Sequence, residues 1–340
     1  MVGEAIKLLV DRKHLSENQA REVMKEIMEG KVTPAQIAAL LVALRLKGEE
    51  EGEIAGFARA MMEKVVTFPW EGEILVDTCG TGGDGLKTFN ISTTCAFVVA
   101  GAGVKVAKHG NRALSSNCGS ADVLEEIGVK IDLSPELVKR ALDKVGIAFL
   151  FAPLFHQAMK YALSPRKEIG IRTVFNILGP LTNPLSANVR LMGVYDPLLT
   201  ETLARVMAHL KVKRAFVVWS EDGMDEVSLS SKTKVSELKN GEVQTYWFRP
   251  EELNLERSSL SDIKGGNRKT NAAIMLDILR GKERGAKREV VLLNSAFCLL
   301  GTGMVSSLKE GVKLAAELID SGKAIDKLNQ LIEFSRSFNS

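Results

Sequence analysis

Cysteine is scarce in this sequence, and the few that occur form no pattern. The chain of 340 residues contains four of them, Cys79, Cys95, Cys118 and Cys298. No two have the C-x-x-C spacing of a zinc or redox site, so neither a zinc site nor a disulfide framework is predicted. We interpret all four as free thiols in a reducing cytoplasm.

Long apolar runs and strong net charge are also missing. No apolar stretch reaches about 18 residues, the length that crosses a bilayer. The first residues, Met1-Val2-Gly3-Glu4, lack the basic and apolar regions of a signal peptide. The net charge is only +3, without a dense run of Lys and Arg, which disfavours nucleic acid or a membrane surface as a partner. We expect a cytoplasmic protein that is neither secreted nor membrane-spanning.

The chain does have an ordinary globular composition, 45% hydrophobic and 26% charged, over a length that favours two domains. Residues 1–70 have the apolar periodicity of helices alone. Ser16 with Gln19 has the spacing of a capping box before an apolar stripe, and Thr33, Pro34 and Gln36 predict the start of a second helix. Because so small a helical unit has little interior in which to bury these stripes, we predict a homodimer that completes it.

From residue 74 the pattern changes to strands that alternate with helices. The apolar runs that predict strands are 104–107, 147–151, 191–194, 215–219 and 290–293. Continuous apolar strands between helices are typical of a largely parallel sheet covered on both faces. Lys239-Asn240-Gly241 predicts a hairpin turn, so the sheet is expected to be mixed. The predicted fold class is α/β, with a small helical domain before a large α/β domain.

A glycine-rich loop follows the first apolar run, residues 74–76. Its sequence is Gly80-Thr81-Gly82-Gly83-Asp84-Gly85, and its glycines let the backbone approach a ligand and aim N–H groups at it. Asn90, Ser92 and Thr93 then fall at a predicted helix N-terminus, which favours an anion. We interpret the stretch as a phosphate or diphosphate cradle, although a glycine loop alone is structural about as often.

Two familiar nucleotide-binding loops do not fit this stretch. Gly80, Gly82 and Gly85 match G-x-G-x-x-G, but the next apolar run ends in Lys108-His109 rather than in the acidic residue of a dinucleotide site. The P-loop pattern fails as well, because Leu86 stands where the pattern requires lysine. A basic strand end suits phosphate better than a ribose diol.

A second polar segment follows the run 104–107. It reads Lys108-His109-Gly110-Asn111-Arg112-Ala113-Leu114-Ser115-Ser116 and leads to Ser120, Ala121 and Asp122. Because the carboxyl ends of parallel strands lie at one edge of a sheet, both polar segments are expected to meet in one crevice. A solvated polar loop is the alternative for this segment taken alone.

In these two segments the chain resembles the anthranilate phosphoribosyltransferase family, of the nucleoside phosphorylase-like class of phosphoribosyltransferases. The resemblance continues through Arg166, residues 170–184 and Asp225-Glu226, and so covers nearly the whole chain. It implies that residues 162–189 return to the helical domain of residues 1–70, which becomes discontinuous. Residues 71–161 and 190–340 would then form the α/β domain that binds the phosphoribosyl donor.

The family transfers a 5-phosphoribosyl group from 5-phosphoribosyl 1-diphosphate (PRPP) to the amine of anthranilate, in the second step of tryptophan biosynthesis from chorismate. The resemblance assigns anthranilate to Gly80, Asn111 and Arg166. The donor-binding residues that it implies are Gly80, Gly83, Asp84, Thr88, Asn90, Ile91, Ser92, Thr93, Lys108, His109, Gly110, Asn111, Arg112, Ala113, Leu114, Ser115, Ser116 and Ser120.

Metal binding is implied as well. The resemblance assigns Mg²⁺, as two ions bound with the diphosphate, to Ser92, Asp225 and Glu226. Judged alone, the four acids within residues 221–226 would be a solvated acidic turn. Asp84 lies in an anion loop, so its carboxylate is expected to bind ribose hydroxyls, orient loop N–H groups or help hold a hydrated metal. A cap on its own turn is the structural alternative.

No residue is an obvious general base. An aromatic amine is largely neutral at neutral pH and attacks with its own lone pair, so we predict catalysis by positioning, leaving-group stabilisation and domain closure. His109, Asn111 and Arg166 are the candidates for catalytic roles, and His109 and His156 are the side chains able to shuttle a proton. Arg172, a rival to Arg166 for the acceptor, is expected to pair with Glu168.

Two other functions share the implied fold. A pyrimidine nucleoside phosphorylase would bind phosphate in the same cradle, and a non-catalytic relative would bind nucleic acid. Arg166, Asn111 and the turn at Gly179-Pro180 favour an acceptor that carries a carboxylate. The nucleic-acid binder should have a degraded donor loop and a basic stripe, and this sequence has neither.

Overall fold

The computed structural model describes residues 1–68, 70, 72–113 and 118–338. Three predicted donor-binding residues, Leu114, Ser115 and Ser116, therefore lie outside the described residues. The N-terminal helices are α1 Val2–Val10, α2 Glu17–Met28, α3 Pro34–Lys47 and α4 Glu51–Glu63. The predicted capping box of Ser16 and Gln19 is present at the start of α2, and Thr33 with Gln36 forms another at the predicted start of α3. The apolar faces of these helices close on a shared buried core.

Strands and helices alternate in the rest of the chain. The strands are β1 Leu75–Gly80, β2 Lys105–Gly110, β3 Ile147–Phe151, β4 Val189–Gly193, β5 Arg214–Ser220, β6 Thr233–Lys239 and β7 Glu242–Phe248. The helices are α5 Ile91–Gly101, α6 Ser120–Ile127, α7 Pro135–Lys144, α8 Ala152–Phe155, α9 Lys160–Ile169, α10 Phe175–Leu181, α11 Leu199–His209, α12 Arg268–Leu279, α13 Ala286–Gly301, α14 Leu308–Asp320 and α15 Lys323–Arg336. Short 3₁₀ turns occupy Gln157–Met159, Pro250–Leu253 and Leu260–Ile263.

The described residues form one mixed sheet in the order β3-β2-β1-β4-β5-β6-β7. Strands β1 to β5 pair in parallel, and β6 and β7 add in antiparallel fashion. The turn between β6 and β7 has φ of 54° at Asn240 and 85° at Gly241, the two positive values that a tight two-residue hairpin needs. The predicted α/β class with a mainly parallel, mixed sheet is confirmed.

One predicted strand was wrong. Residues 290–293 lie inside α13, which packs against α5 and α14 as well as β4 and β5. A helix covered on every side is apolar all round and has no 3.6-residue stripe, so a short window of it resembles a buried strand. Val290, Val291 and Leu293 are all 0% exposed, as this explanation requires.

Different layers cover the two faces of the sheet. Alternate residues of β4 and β5 belong to different cores: Leu191 and Phe216 lie on the face covered by α13, whereas Met192 and Val217 share a core with α11 and the N-terminal helices. Helix α9 packs on α2 and α3, and α10 packs on α4. All four cysteines are buried free thiols. Within the described ranges, no helix combines the length and the apolar character needed to cross a membrane.

Candidate active site

The two polar segments meet where the strand order reverses. The chain runs from β1 outwards to β2 and β3 and then returns to β4 on the other side of β1. In open α/β sheets such a reversal leaves a crevice at the carboxyl ends of the two central strands. Those ends are Gly80 and Gly193, which pair in register. A Cβ on either glycine would collide with Asp225, so the acidic turn and both strand ends are in direct contact.

The glycine loop leaves β1 in a conformation that ordinary residues avoid. Gly82, Gly83 and Gly85 have φ of 65°, 79° and 77°, in the left-handed region that glycine adopts most easily. The Thr81 N–H donates to the carbonyl of Gly193 at 2.9 Å, which ties the loop to the end of β4. The predicted close-approach loop is therefore present at the crevice.

Asp84 uses its two carboxylate oxygens differently. Oδ1 accepts from the backbone N–H of Leu86 at 3.1 Å, which is the turn-capping role considered for it. Oδ2 is buried and has no hydrogen-bond partner among the described residues. One oxygen thus shapes the loop, and the other is left for a hydroxyl or a hydrated cation.

Asp225 and Glu226 lie in the turn after β5 and face the glycine loop. The Gly82 N–H donates to Oδ2 of Asp225 at 2.8 Å. Burial, and then the charge of Asp84, raise the pKa of Asp225 to about 7. Burial, and then the charge of Asp225, raise the pKa of Glu226 well above its ordinary value. Carboxylates crowded together in this way repel one another, and a divalent cation would relieve the repulsion.

Buried polar side chains hold this acidic turn from below. Asn294 of α13 accepts from the Val227 N–H and donates to the Val227 carbonyl, both at 2.9 Å. The Ser220 hydroxyl donates to the Glu226 carbonyl at 2.7 Å. Asn294 and Ser220 are 0% exposed. Neither residue could be singled out from the sequence, because a single polar residue within or beside an apolar run resembles an ordinary core position.

The predicted helix start forms the third wall. Helix α5 begins at Ile91, and both the N–H and the hydroxyl of Thr94 donate to the Asn90 carbonyl, at 3.0 and 2.9 Å. Ile91 and Thr93 have buried side chains. Ser92 is partly exposed, and its N–H faces Glu226, whose charge it helps to stabilise. The three predicted metal-binding residues are therefore neighbours.

Lys108 is buried beneath this helix start and is only 3% exposed. Its Nζ donates to the Thr78 carbonyl and lies 3.4 Å from the Ser92 hydroxyl. Burial raises the pKa of Glu226, and the charge of Lys108 opposes that rise. Lys108 thus acts on the crevice as a fixed positive charge behind its wall.

The second polar segment is fastened by Asp122. Its Oδ2 accepts from the N–H groups of Ala113 and Gly119, at 2.9 and 2.8 Å. Its Oδ1 lies 2.7 Å from Nη2 of Arg268 and 3.5 Å from Nη1 of Arg112. A Cβ at Gly119 would collide with the Ala113 backbone. One carboxylate therefore joins two points of the segment to α12.

Asn111 and Arg112 differ in how much of their side chain is engaged. Asn111 Oδ1 accepts from the Arg112 N–H at 2.8 Å, and the Asn111 carbonyl accepts from the Ser120 hydroxyl at 3.3 Å. Nδ2 of Asn111 has no partner among the described residues. The Arg112 guanidinium pairs with both oxygens of Glu125 and lies over the ring of Phe151. Asn111 is thus the freer of the two for a ligand, and donor binding by Arg112 stays a prediction.

A buried polar network braces the ends of β1 and β2. Asp77 accepts from the His109 N–H at 3.1 Å and from Asn183 Nδ2 at 2.8 Å. Arg190 of β4 donates to the carbonyls of Leu181 and Ala187 at 2.7 and 2.8 Å. The turn after α10 is thereby pinned to three strands. A sequence signal existed, since Asp77 and Arg190 are charged residues within otherwise apolar strands.

The two histidines considered as proton shuttles lie together. The His109 and His156 ring centroids are 5.1 Å apart. Burial lowers the pKa of His156 to about 4, and burial followed by the proximity of His156 lowers the pKa of His109 well below its ordinary value. Nε2 of His156 donates to the Thr182 carbonyl at 2.9 Å, whereas Nε2 of His109 is buried without a partner in the described chain. Both rings are therefore neutral at neutral pH.

Arg166 and Arg172 have different surroundings. Arg166 is half-buried over the ring of Phe175 at 5.0 Å, and burial lowers its pKa without an opposing carboxylate from the described residues. Arg172 donates to the Gly83 carbonyl and lies 4.3 Å over the ring of Tyr195. The predicted pairing of Arg172 with Glu168 was wrong. Glu168 instead accepts from the hydroxyl of Ser164.

Comparison with known proteins agrees with this arrangement over the full length. The sequence model described as "Glycosyl transferase family, helical bundle domain" matches residues 3–65, and that described as "Glycosyl transferase family, a/b domain" matches residues 72–325. The anthranilate phosphoribosyltransferase of Moorella thermoacetica is 54% identical over 338 residues, which is 99% of each chain. The chain belongs to the anthranilate phosphoribosyltransferase family.

Solved members of the family have the same fold. The anthranilate phosphoribosyltransferase of Thermus thermophilus has a TM-score of 0.93 at 43% identity, covering 98% of this chain and 99% of its own. The Saccharomyces cerevisiae enzyme in complex with PRPP and Mg has a TM-score of 0.92 at 30% identity, covering 99% and 98%. The same yeast enzyme has been solved in complex with 4-fluoroanthranilate, with a TM-score of 0.89 at 29% identity and the same coverage. The resemblance inferred from the motifs is confirmed.

Proposed function

We propose that this chain transfers the 5-phosphoribosyl group of PRPP to the amine of anthranilate, giving N-(5-phosphoribosyl)anthranilate and diphosphate. The reaction is the second step of tryptophan biosynthesis from chorismate. The observation that carries the proposal is the crevice at the ends of β1 and β4. There a glycine loop, a helix N-terminus and crowded carboxylates converge, in a chain 54% identical to a relative of that name.

The donor is proposed to bind across the glycine loop, the start of α5 and the second polar segment. Loop N–H groups and the N-terminus of α5 suit phosphate oxygens. The partnerless Oδ2 of Asp84 suits a ribose hydroxyl or a hydrated cation. The residues proposed for the donor remain those of the sequence analysis, including the three that lie outside the described residues.

Ser92, Asp225 and Glu226 are proposed to hold Mg²⁺, as two ions bound together with the diphosphate. The residues fit such a group, because they bring hard oxygen donors together where burial raises the pKa of both carboxyl groups. No set of three His, Cys, Asp or Glu side chains within the described ranges is close enough to hold an ion alone, so water and substrate must complete its coordination. Bound Mg²⁺ would neutralise charge on the departing diphosphate.

Arg166 is proposed to bind the anthranilate carboxylate, with the Gly80 backbone and Asn111 lining the same pocket. A half-buried guanidinium without a carboxylate partner among the described residues suits a planar acid. Helix α10 links this residue to the crevice: Arg166 stacks on its Phe175, and the Cys79 thiol donates to its Pro180 carbonyl at 3.8 Å. The acceptor would then lie beside the end of β1.

The chemistry needs no strong base from the protein. Anthranilate attacks the anomeric carbon through its own amine lone pair while the bond to diphosphate breaks, and the proton that the new secondary amine then loses passes to water. The lowered pKa values of His109 and His156 make both imidazoles weak bases. The residues proposed for catalysis, His109, Asn111 and Arg166, therefore act by orienting the two substrates and excluding water.

We further propose a cytoplasmic homodimer that pairs through the helical domain. Exposed apolar side chains in this part of the chain support the pairing, among them Val10, Leu46 and Leu163 at 67%, 76% and 58% exposure. The proposed domains are residues 1–70 with 162–189, and 71–161 with 190–340. The packing of α9 on α2 and α3 supports this division.

The deciding experiment follows anthranilate fluorescence after addition of PRPP, with Mg²⁺ and again with excess chelator. We expect fluorescence to fall with stoichiometric release of diphosphate, and the fall to stop when Mg²⁺ is removed. A folded sample that leaves anthranilate unchanged would contradict the proposal. Assays of thymidine with phosphate, and a salt-dependent gel shift, would then test the phosphorylase and nucleic-acid functions.

A further inference from the structure

The start of α12 contacts both polar segments of the crevice, although the sequence analysis assigned it no role. Lys264 forms an antiparallel bridge with Thr88, and the Gly265 N–H donates to the Lys87 carbonyl at 2.9 Å. Arg268, in the first turn of α12, pairs with Asp122 at 2.7 Å. Residues 264–268 thus run along Lys87 and Thr88, just after the glycine loop, and then reach the second segment.

Asn271, one turn further along α12, makes the most direct connection. It is only 2% exposed. Its Oδ1 accepts from the Gly266 N–H at 2.7 Å, and its Nδ2 donates to Oδ1 of Asn90 at 3.0 Å. The Asn90 amide in turn donates through Nδ2 to the Cys118 carbonyl at 3.1 Å. A chain of three hydrogen bonds therefore joins α12, the start of α5 and the second segment.

These three hydrogen bonds determine which way the Asn90 amide faces. Gly266 N–H can only donate, so Asn271 must present its oxygen to Gly266 and its NH₂ group to Asn90. Asn90 must then present its oxygen to Asn271 and its NH₂ group to the Cys118 carbonyl. One N–H of Asn90 and one lone pair of its oxygen remain for a ligand. A Cβ at Gly265 would collide with Asn271 Oδ1 and the Phe89 backbone, so the arrangement is tightly packed.

We propose that Asn271 is a positioning residue for the phosphoribosyl donor: it orients the Asn90 amide towards PRPP without touching the ligand. The inference rests on the proposed function, in which Asn90 contacts the donor. Without Asn271, the Asn90 amide keeps only its hydrogen bond to the Cys118 carbonyl, and the cost of ordering it again on binding weakens the donor complex. In this role Asn271 affects neither the affinity for anthranilate nor the stability of α12 itself.

The test measures PRPP binding by titration calorimetry with Mg²⁺ present, and steady-state kinetics for both substrates. Asn271→Ala should weaken PRPP binding and raise its KM by about five- to thirty-fold, the range expected for a hydrogen bond to a polar ligand-binding group. Asn271→Asp should weaken it at least as much, because an isosteric carboxylate repels the Asn90 oxygen. The KM for anthranilate should stay within about two-fold of wild type.

Asn267→Ala is the matched control. Asn267 caps the same helix, with Oδ1 accepting from the Thr270 N–H at 3.0 Å, and makes no contact with Asn90. Its loss should lower thermal stability with PRPP binding unchanged. If Asn267→Ala weakens PRPP binding as much as Asn271→Ala does, Asn271 merely stabilises the helix and the inference is wrong.

A double-mutant cycle separates the remaining outcomes. If Asn271 acts through Asn90, Asn271→Ala should change PRPP affinity by less than about two-fold in an Asn90→Ala background. Additive losses in the double variant would overturn the inference. Failure of the wild-type protein itself to bind PRPP would instead overturn the proposed function, so the two failures are distinguishable.

Discussion

Acidic side chains lie at two places near the same end of the sheet, Asp77 within β1 and Asp225 with Glu226 in the turn after β5, and their surroundings differ. Asp77 is 0% exposed and accepts hydrogen bonds from His109 and Asn183. Burial raises its pKa, and the nearby charge of Lys108 opposes that rise. Asp225 and Glu226 instead lie beside Asp84, whose Oδ2 has no partner among the described residues.

This difference distinguishes the acid that supports the structure from the acids that form the binding site. A buried carboxylate that receives donors and faces a cation is complete and serves to hold other groups in place. Carboxylates that raise one another's pKa are compensated only in part, here by the N–H groups of Gly82 and Ser92 and by the charge of Lys108, and this is typical of residues that bind a cation or substrate. The comparison predicts opposite consequences for removing charge from the two groups.

The largest expected effect is on the crowded group. In the double variant Asp225→Asn with Glu226→Gln, we expect Mg²⁺-dependent turnover to fall by about 10³-fold or more, because the metal's contribution of several kcal/mol is lost. The protein should fold normally, with an unchanged or higher midpoint of thermal unfolding, since repulsion has been removed. Fluorescence kinetics and thermal melts measure the two quantities.

Glu221→Gln is the control for this variant, because Glu221 lies in the same turn but pairs with Lys232 on the surface. It should leave turnover unchanged. A double variant that keeps Mg²⁺-dependent turnover would show that Asp225 and Glu226 are not the metal ligands. These two acids would then no longer differ from Asp77 in function.

The next effect is on the complete group. Asp77→Asn places an NH₂ group against one of the two donors and removes a negative charge near Lys108, so the free energy of unfolding should drop by about 3 kcal/mol. Urea unfolding at neutral pH measures it. Asp143→Asn, which only breaks an exposed pair with Lys139, should cost about 0.5 kcal/mol or less. Equal stability of the Asp77 and Asp143 variants would contradict the scaffold role.

The third effect concerns acid stability. The pKa of His156, about 4, lies below its ordinary value of 6.5 because the ring is buried. The folded state then binds fewer protons than the unfolded chain, so this stabilisation is complete above pH 6.5 and is lost as pH falls towards 4. The loss should be roughly 2 to 3 kcal/mol between pH 7 and pH 4.

His156→Gln should flatten this dependence, because a glutamine amide can donate to the Thr182 carbonyl and does not titrate. The exposed His209→Gln is the control and should keep the wild-type profile. Urea midpoints measured across this pH range decide between them. If the free energy of unfolding of His156→Gln kept the wild-type dependence on pH, other groups would dominate acid unfolding. The buried histidine pair would then have no measurable role in acid stability.

Much of the fold could be predicted because the local signals agreed with it. Capping residues fixed the starts of α2 and α3, and β3 begins and ends where its apolar run does. Helix α13 was misjudged because burial on all sides removes helical periodicity. The glycine loop and the acidic turn could be found, since their unusual composition is local.

The rest of the site depends on contacts that periodicity does not encode. Asn183 reaches Asp77 across 106 residues, and Asn271 reaches Asn90 across 181. Arg172 was misassigned for a local reason: Gly170 adopts φ of 61° and ends α9 at Ile169, so helical spacing to Glu168 does not apply. Arg172 is released to meet the glycine loop instead.

The smallest expected effect comes from Arg172, which contacts the glycine loop on the side of the crowded carboxylates. Arg172 holds the Gly83 carbonyl and lies over Tyr195 at 4.3 Å, an exposed stack worth about 0.5–1 kcal/mol. Arg172→Ala should therefore raise the KM for PRPP only about two- to five-fold, with the KM for anthranilate unchanged. Arg205→Ala, which breaks an exposed pair with Glu201, should change neither. If only the KM for anthranilate rose, Arg172 would instead belong to the acceptor pocket. A residue that only shapes the donor loop would not change anthranilate binding while leaving PRPP binding intact.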